Sequence, residues 1–145
     1  MEQASPTFVP VDRVNPERAA NIRAAKAEEG IIALINRLPD RAEWLRERIA
    51  PEDFVTSFNR KVYVFFMDKI AEGVSPETLV SAHFEAPEVA RIVQILNTQI
   101  YGKDPMRQFS DYIGVLKQEG KKRGKIVDRS PQQLQQMLEQ KKRRE

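Results

Sequence analysis

Ile49-Ala50-Pro51-Glu52-Asp53-Phe54-Val55-Thr56-Ser57-Phe58-Asn59-Arg60-Lys61-Val62-Tyr63-Val64-Phe65-Phe66-Met67-Asp68-Lys69-Ile70 is the stretch on which the fold turns. A turn marked by Pro51 leads into a run in which Phe58, Val62, Phe65, Phe66 and Ile70 recur at i, i+4, i+7, i+8 and i+12, one face of a 3.6-residue helix. Tyr63, Val64 and Met67 widen that face beyond an ordinary amphipathic stripe, so the helix is expected at the centre of a bundle. Phe54 is placed to plug its N-terminal end, and Thr56 or Ser57 to cap it.

Outward from this helix, a capping residue stands directly before a proline four times: Asn15-Pro16, Ser75-Pro76, Asp104-Pro105 and Ser130-Pro131. Proline suits the first helical position and Asn, Ser and Asp accept the free amide hydrogens there, so each pair predicts a helix start. A first helix over 16–38 would bury Ile31, Leu34, Ile35 and Leu38. Gly30 inside it costs roughly 1 kcal/mol against alanine, which close packing against another helix would explain. Asp40, with Glu43 in capping-box position, opens a short second helix that carries Trp44, Leu45 and Ile49 inward. Gly73 stops the central helix, and Ser75-Pro76 starts a short fourth holding Leu79 and Val80. Pro87 opens a fifth with Val89, Ile92, Val93, Leu96 and Ile100 on one face, ended by Gly102. The sixth begins at Pro105 and aligns Phe109, Tyr112, Ile113 and Leu116. The expectation is an all-α bundle of about six helices over 16–118, after a linker or disordered arm over 1–15. A basic tail comes next over 119–145, with a final helix at about 131–143 or a short helical hairpin.

A chain of 145 residues with 41% apolar residues can bury one modest core. It has no Cys, which excludes disulfides, thiolate metal sites and cysteine nucleophiles; its single His, His83, excludes histidine-cluster metal sites. No apolar run approaches a membrane span, and the N-terminus has no basic signal-peptide region, so a cytoplasmic setting is expected. The formal charge of +3 is unevenly spread: residues 1–116 hold 14 Lys/Arg against 17 Asp/Glu, and residues 117–145 hold 10 against 4. The basic character belongs to the tail, which suits a partner-seeking segment or nucleic acid.

Pro51-Glu52-Asp53-Phe54 followed by Phe58-Asn59-Arg60 resembles a pattern shared by two related domains, the C-terminal domain of bacterial DNA primase and the N-terminal domain of the replicative helicase. Lys26-Ala27-Glu28-Glu29-Gly30-Ile31 is similar to the opening helix of the primase domain. Ala82-His83-Phe84-Glu85, the helix from Glu88 to Leu96, and Phe109 to Leu116 with Lys117 are closer to the primase domain than to the helicase collar. The resemblance spans roughly 17–118. It implies a helical domain without priming activity, since a primase's zinc module and acidic polymerase core have no counterpart here. It also implies a partner, the N-terminal domain of the hexameric replicative helicase, which the family grips with a helical hairpin at the end of this domain.

The tail carries the candidate contacts. Ser130-Pro131-Gln132-Gln133 reads as a capping box opening a helix with a narrow apolar stripe of Leu134, Met137 and Leu138, suited to a partner's groove. Lys121, Lys122 and Arg123 are the candidate electrostatic guides. Gly120-Lys121-Lys122-Arg123-Gly124-Lys125 lacks the spacing, the hydroxyl residue and the preceding strand of a phosphate loop, and reads as a helix end or basic hinge. No catalytic residues, cofactor or metal are expected. Glu28-Glu29 and Glu52-Asp53 could be drawn as acid and base or as metal ligands, but the acidic residues are expected on solvent faces, and Glu52-Asp53 suits a helix N-terminus. The core is expected to hold Trp44, Phe54, Phe58, Val62, Phe65 and Phe66. The alternatives are a basic helical module for nucleic acid, which the absence of aromatics after Tyr112 disfavours, and the helicase collar domain itself, which would assemble into rings where a primase domain would be a monomer.

Overall fold

The computed structural model describes residues 11–98 and 104–126, with side chains through Lys122. Among them are six α-helices: α1 (Ile22–Arg37), α2 (Ala42–Arg46), α3 (Ser57–Ala71), α4 (Val80–His83), α5 (Ala86–Leu96) and α6 (Pro105–Ile126). Short 3-10 turns precede α1 to α4, as at Pro39–Arg41 and Pro51–Asp53, and no strand occurs among the described residues. The fold is all-α, as the periodicities require.

The axis of the bundle is α1 and not α3. Every residue from Ala27 to Ile35 is buried, and α1 packs against α3, α5 and α6. Small residues explain this position: Ala24, Ala25, Ala27, Gly30 and Ala33 let neighbouring helices come close on several sides at once. A Cβ placed on Gly30 would overlap the ring of Tyr112 from α6, so the glycine is the notch that admits that ring. Gly73, with φ 78°, ends α3 in the left-handed region where glycine carries no steric penalty.

Within α3, Phe58, Val62, Tyr63, Phe66 and Met67 are buried, while Val64 is exposed. Phe54 plugs the helix end as expected, its ring stacked 4.5 Å from that of Tyr63. Tyr63 donates from its hydroxyl to the Ile49 carbonyl at 3.2 Å, and burial pushes its phenol up to about 12.

Two expected core rings are only half-buried. Phe65 lies on the outer side of α3, where the four-residue α4 and the residue after it provide its cover: His83 and Phe84 approach with ring centroids at 5.1 Å each. Trp44 packs one side against Phe109, 5.8 Å between centroids, and Arg48 covers it with its guanidinium carbon 4.2 Å from the ring centre.

Several helix ends also differ from expectation. Asn15 caps nothing: the chain takes a 3-10 turn over Ala19–Asn21 before α1 begins, and Asn15 is buried. Asp40 falls inside a 3-10 turn, with no side-chain cap on α2. Ser75 likewise makes no side-chain cap. At α6 the expected cap is present, Asp104 Oδ1 accepting the Arg107 N–H at 3.2 Å. Helix α5 ends at Leu96, ahead of Gly102, and turns Ile92 and Ile95 inward while Val93 stays half-exposed. Ile100 and Gly102 lie outside the described residues.

Candidate interaction surface

Two polar arrangements distinguish this bundle, one inside it and one at its edge. The inner one overturns the expectation that its acidic residues face solvent. Glu28 is fully buried and Glu29 nearly so. The Glu28 carboxylate accepts from the backbone N–H groups of Val55 and Thr56, from the Thr56 hydroxyl at 2.7 Å and from Asn59 Nδ2 at 3.1 Å. Asn15 Nδ2 in turn donates to the Thr56 hydroxyl at 3.2 Å. Neither Thr56 nor Ser57 caps α3 with its own side chain; Glu17 does so across the fold, its Oε1 accepting the Ser57 N–H at 2.7 Å, while Glu28 holds the amides of the two residues just before the helix. Negative charge at a helix N-terminus is favoured, so the long-range cap replaces the local one.

Burial raises the Glu28 carboxyl above the ordinary carboxylate range, with the Thr56, Val55 and Asn59 donors pulling the other way. Asn15 Oδ1 and Asn59 Oδ1 are buried without partners. A proton on Glu28 would turn one of its two acceptor oxygens into a donor. All of these atoms are enclosed, which makes the cluster a structural clamp between α1, α3 and the segment before α1.

Glu29 forms a two-bond pair with Arg18, Nε to Oε2 at 2.7 Å and Nη2 to Oε1 at 3.0 Å. This pair borders a cavity of about 290 Å³ with Arg91, Gln94, Ile95 and Thr98. Arg91 is itself paired with Asp12 at 2.9 Å, so the two cations and two anions balance. Burial opposes ionisation of Asp12, but the Asn15 N–H, Arg91 and the Val14 N–H together hold its carboxyl below the usual range. Nothing in the local spacing signalled these pairs, because each joins residues from separate segments.

The outer arrangement is the end of α6. Phe109 and Leu116 anchor this helix in the core, with Tyr112 and Ile113 half-buried between them. It runs antiparallel to α1: Gly30 meets Tyr112, and seven residues along each helix Arg23 Nη1 meets Glu119 Oε2 at 3.1 Å. Arg23 Nη2 also donates to Gln118 at 3.0 Å. On the opposite side Lys117 Nζ reaches Asp53 Oδ2 at 3.0 Å, the same carboxylate oxygen that accepts the Ala50 N–H at 2.8 Å.

In this register the first residue of α1, Ile22, stands opposite Gly120, so residues 121–126 extend beyond α1. At 1.5 Å per residue the overhang is about 9 Å. Helix α6 therefore passes through Gly120, where a helix end or hinge was expected. Lys121 and Lys122 stand exposed on the overhang, Lys122 within 3.4 Å of Glu119. Arg123 is next on the same helix, with its side chain outside the described residues. Leu134, Met137 and Leu138, with the capping box at Ser130, also lie outside them.

Among the described residues no group of three or more His, Cys, Asp or Glu could hold a metal ion, and no helix is long and apolar enough to cross a membrane. His83 rests against Phe65 and has no acidic or imidazole cluster around it. No protein-family model, curated protein or solved structure matches the chain.

Proposed function

We propose that this chain is a non-catalytic docking domain that couples a primase to the hexameric replicative helicase during DNA replication. The observation that carries the reading is the overhang of α6, which takes an exposed basic segment past the end of α1 and leads it toward the tail. The sequence resemblance to the primase C-terminal domain supplies the identity of the partner, the helicase N-terminal domain. In this reading Leu134, Met137 and Leu138 enter an apolar groove, while Lys121, Lys122 and Arg123 steer the encounter. The domain acts as a monomer in the bacterial cytoplasm and needs no cofactor.

Nucleic acid is the second reading, on the strength of the basic tail alone. Within the described part of the overhang the basic charge is partly offset, since Lys122 is paired with Glu119. Single-strand binders stack bases on exposed rings, and no aromatic occurs after Tyr112.

A titration against the helicase N-terminal domain, run beside one against a single-stranded oligonucleotide, separates the readings. The docking role requires saturable helicase binding that weakens when Leu138 or Met137 is replaced by alanine. Tight oligonucleotide binding at about 0.15 M salt, with no helicase binding at tens of micromolar, would overturn it.

A further inference from the structure

We infer that the contact between Gly30 and Tyr112 is a positioning device: it sets the axis along which α6 leaves the bundle, so that the bundle and the overhang move as one rigid arm. The inference rests on the docking reading for its consequence, because a partner held by the tail would then also find the bundle at a fixed place.

Four levels of contact define the axis. At the base, Phe109 is buried and packs on Trp44. Three residues on, the Tyr112 ring lies against the backbone of α1 at Gly30, closer than any side chain there would permit. Farther out, Leu116 is buried in the core, and beyond it Arg23 and Asp53 hold Glu119 and Lys117 from two directions, the cation of each pair about half exposed. Exposed ion pairs yield easily to solvent and salt, and the aliphatic Leu116 side chain can repack as the helix tilts, whereas a ring seated on backbone allows no closer approach. Tyr112 is therefore the level at which the tilt is decided. A side chain at residue 30 must displace the ring or the helix. If the helix moves by about 1 Å at Tyr112, pivoting at Phe109, the shift at Lys122 is about four times larger, from the ratio of thirteen residues to three at 1.5 Å each.

The chain has no cysteine, so labels attach only at cysteines introduced for the purpose. Nitroxides on Ser81→Cys in α4 and Lys122→Cys in α6, both exposed positions, report the tilt by pulsed electron resonance without any partner. Gly30→Ala should move the mean distance by up to about 4 Å, the full displacement expected at Lys122. Adding Tyr112→Ala to Gly30→Ala should bring it back to within about 1 Å of the parent, and Tyr112→Phe alone should leave it unchanged. An unmoved distance in a folded Gly30→Ala variant, with the ring simply swung aside, would overturn the inference, as would a shift that the double variant does not reverse. Should Gly30→Ala fail to fold, Tyr112→Ala carries the test: a broadened distribution supports the role, and one as narrow and centred as the parent's overturns it. Helicase titrations on the same proteins form a separate arm. If the parent chain does not bind, the docking reading falls while the distances still decide the positioning role.

Discussion

The crossing of α1 and α3 and the far end of α6 use the same chemical groups under different conditions of solvent. At the crossing, the Glu28 carboxylate is fully enclosed, and the Val55 and Thr56 donors around it would be stranded by its loss. At the end of α6, Arg23 and Lys117 retain about half of their side-chain exposure, 52% and 48%, so water can replace either pair at little cost. A carboxylate thus acts as a keystone in one place and as a light tether in the other. The geometry of each bond is ordinary; exposure decides what it contributes.

The largest effect is expected from Glu28→Ala. It leaves the Val55 and Thr56 amides and the Thr56 hydroxyl without their acceptor inside the core, while Asn59 Nδ2 keeps only its 3.5 Å bond to the Ala25 carbonyl, at roughly 1 to 3 kcal/mol for each unsatisfied group and on the order of 5 kcal/mol together. Urea denaturation of this variant should show a transition displaced to much lower denaturant, or none. A midpoint equal to the parent's would mean that water reaches the cluster and that the two regions do not differ as described.

Next come the two neighbouring rings of α3. Phe66→Ala should destabilise by roughly 3 to 5 kcal/mol, from lost burial and the cavity it leaves. Phe65→Ala should cost about 1 to 2 kcal/mol, because its half-exposed ring has less apolar area to return to water. Equal losses in calorimetry would place Phe65 in the core after all.

A smaller and pH-dependent effect is expected from Glu28→Gln, which keeps the shape of the side chain and one acceptor oxygen for the surrounding donors. Burial raises the folded-state pKa of Glu28 above its unfolded reference value of 4.5. The stability contributed by the protonated carboxyl is thus fully present below that value and is lost as pH rises through the folded value. Parent and variant compared from about pH 4 to about pH 8 should therefore show the parent losing ground relative to the variant as pH rises, with the difference flat once Glu28 is ionised. The opposite slope would show that the donors around the carboxylate outweigh its burial.

The smallest effects belong to the end of α6. Arg23→Ala and Lys117→Ala should each change stability by about 0 to 1 kcal/mol, less in high salt. A loss of several kcal/mol from either would erase the contrast between the two regions.

Much of the fold was legible in the chain itself. Apolar spacing at 3.6 residues located α1, α3, α5 and α6, Gly73 marked the end of α3, and Asp104-Pro105 marked the start of α6, because periodicity, caps and turn residues act over a few neighbouring positions. Gly30 announced a close helix contact without naming the partner. Only the tertiary structure chose Tyr112 as that partner, made α1 the axis in place of the more aromatic α3, and left Phe65 and Trp44 half-covered. These outcomes depend on how many neighbours reach each face, which large side chains alone do not determine and small ones permit. The buried roles of Glu28 and Glu29 were hidden for the same reason: their partners, Thr56, Asn59 and Arg18, come from distant positions in the chain. The basic residues of the tail were plain from composition, whereas the length of helix that carries the first of them past α1 is set by the α1–α6 register, which is a property of two segments packed together.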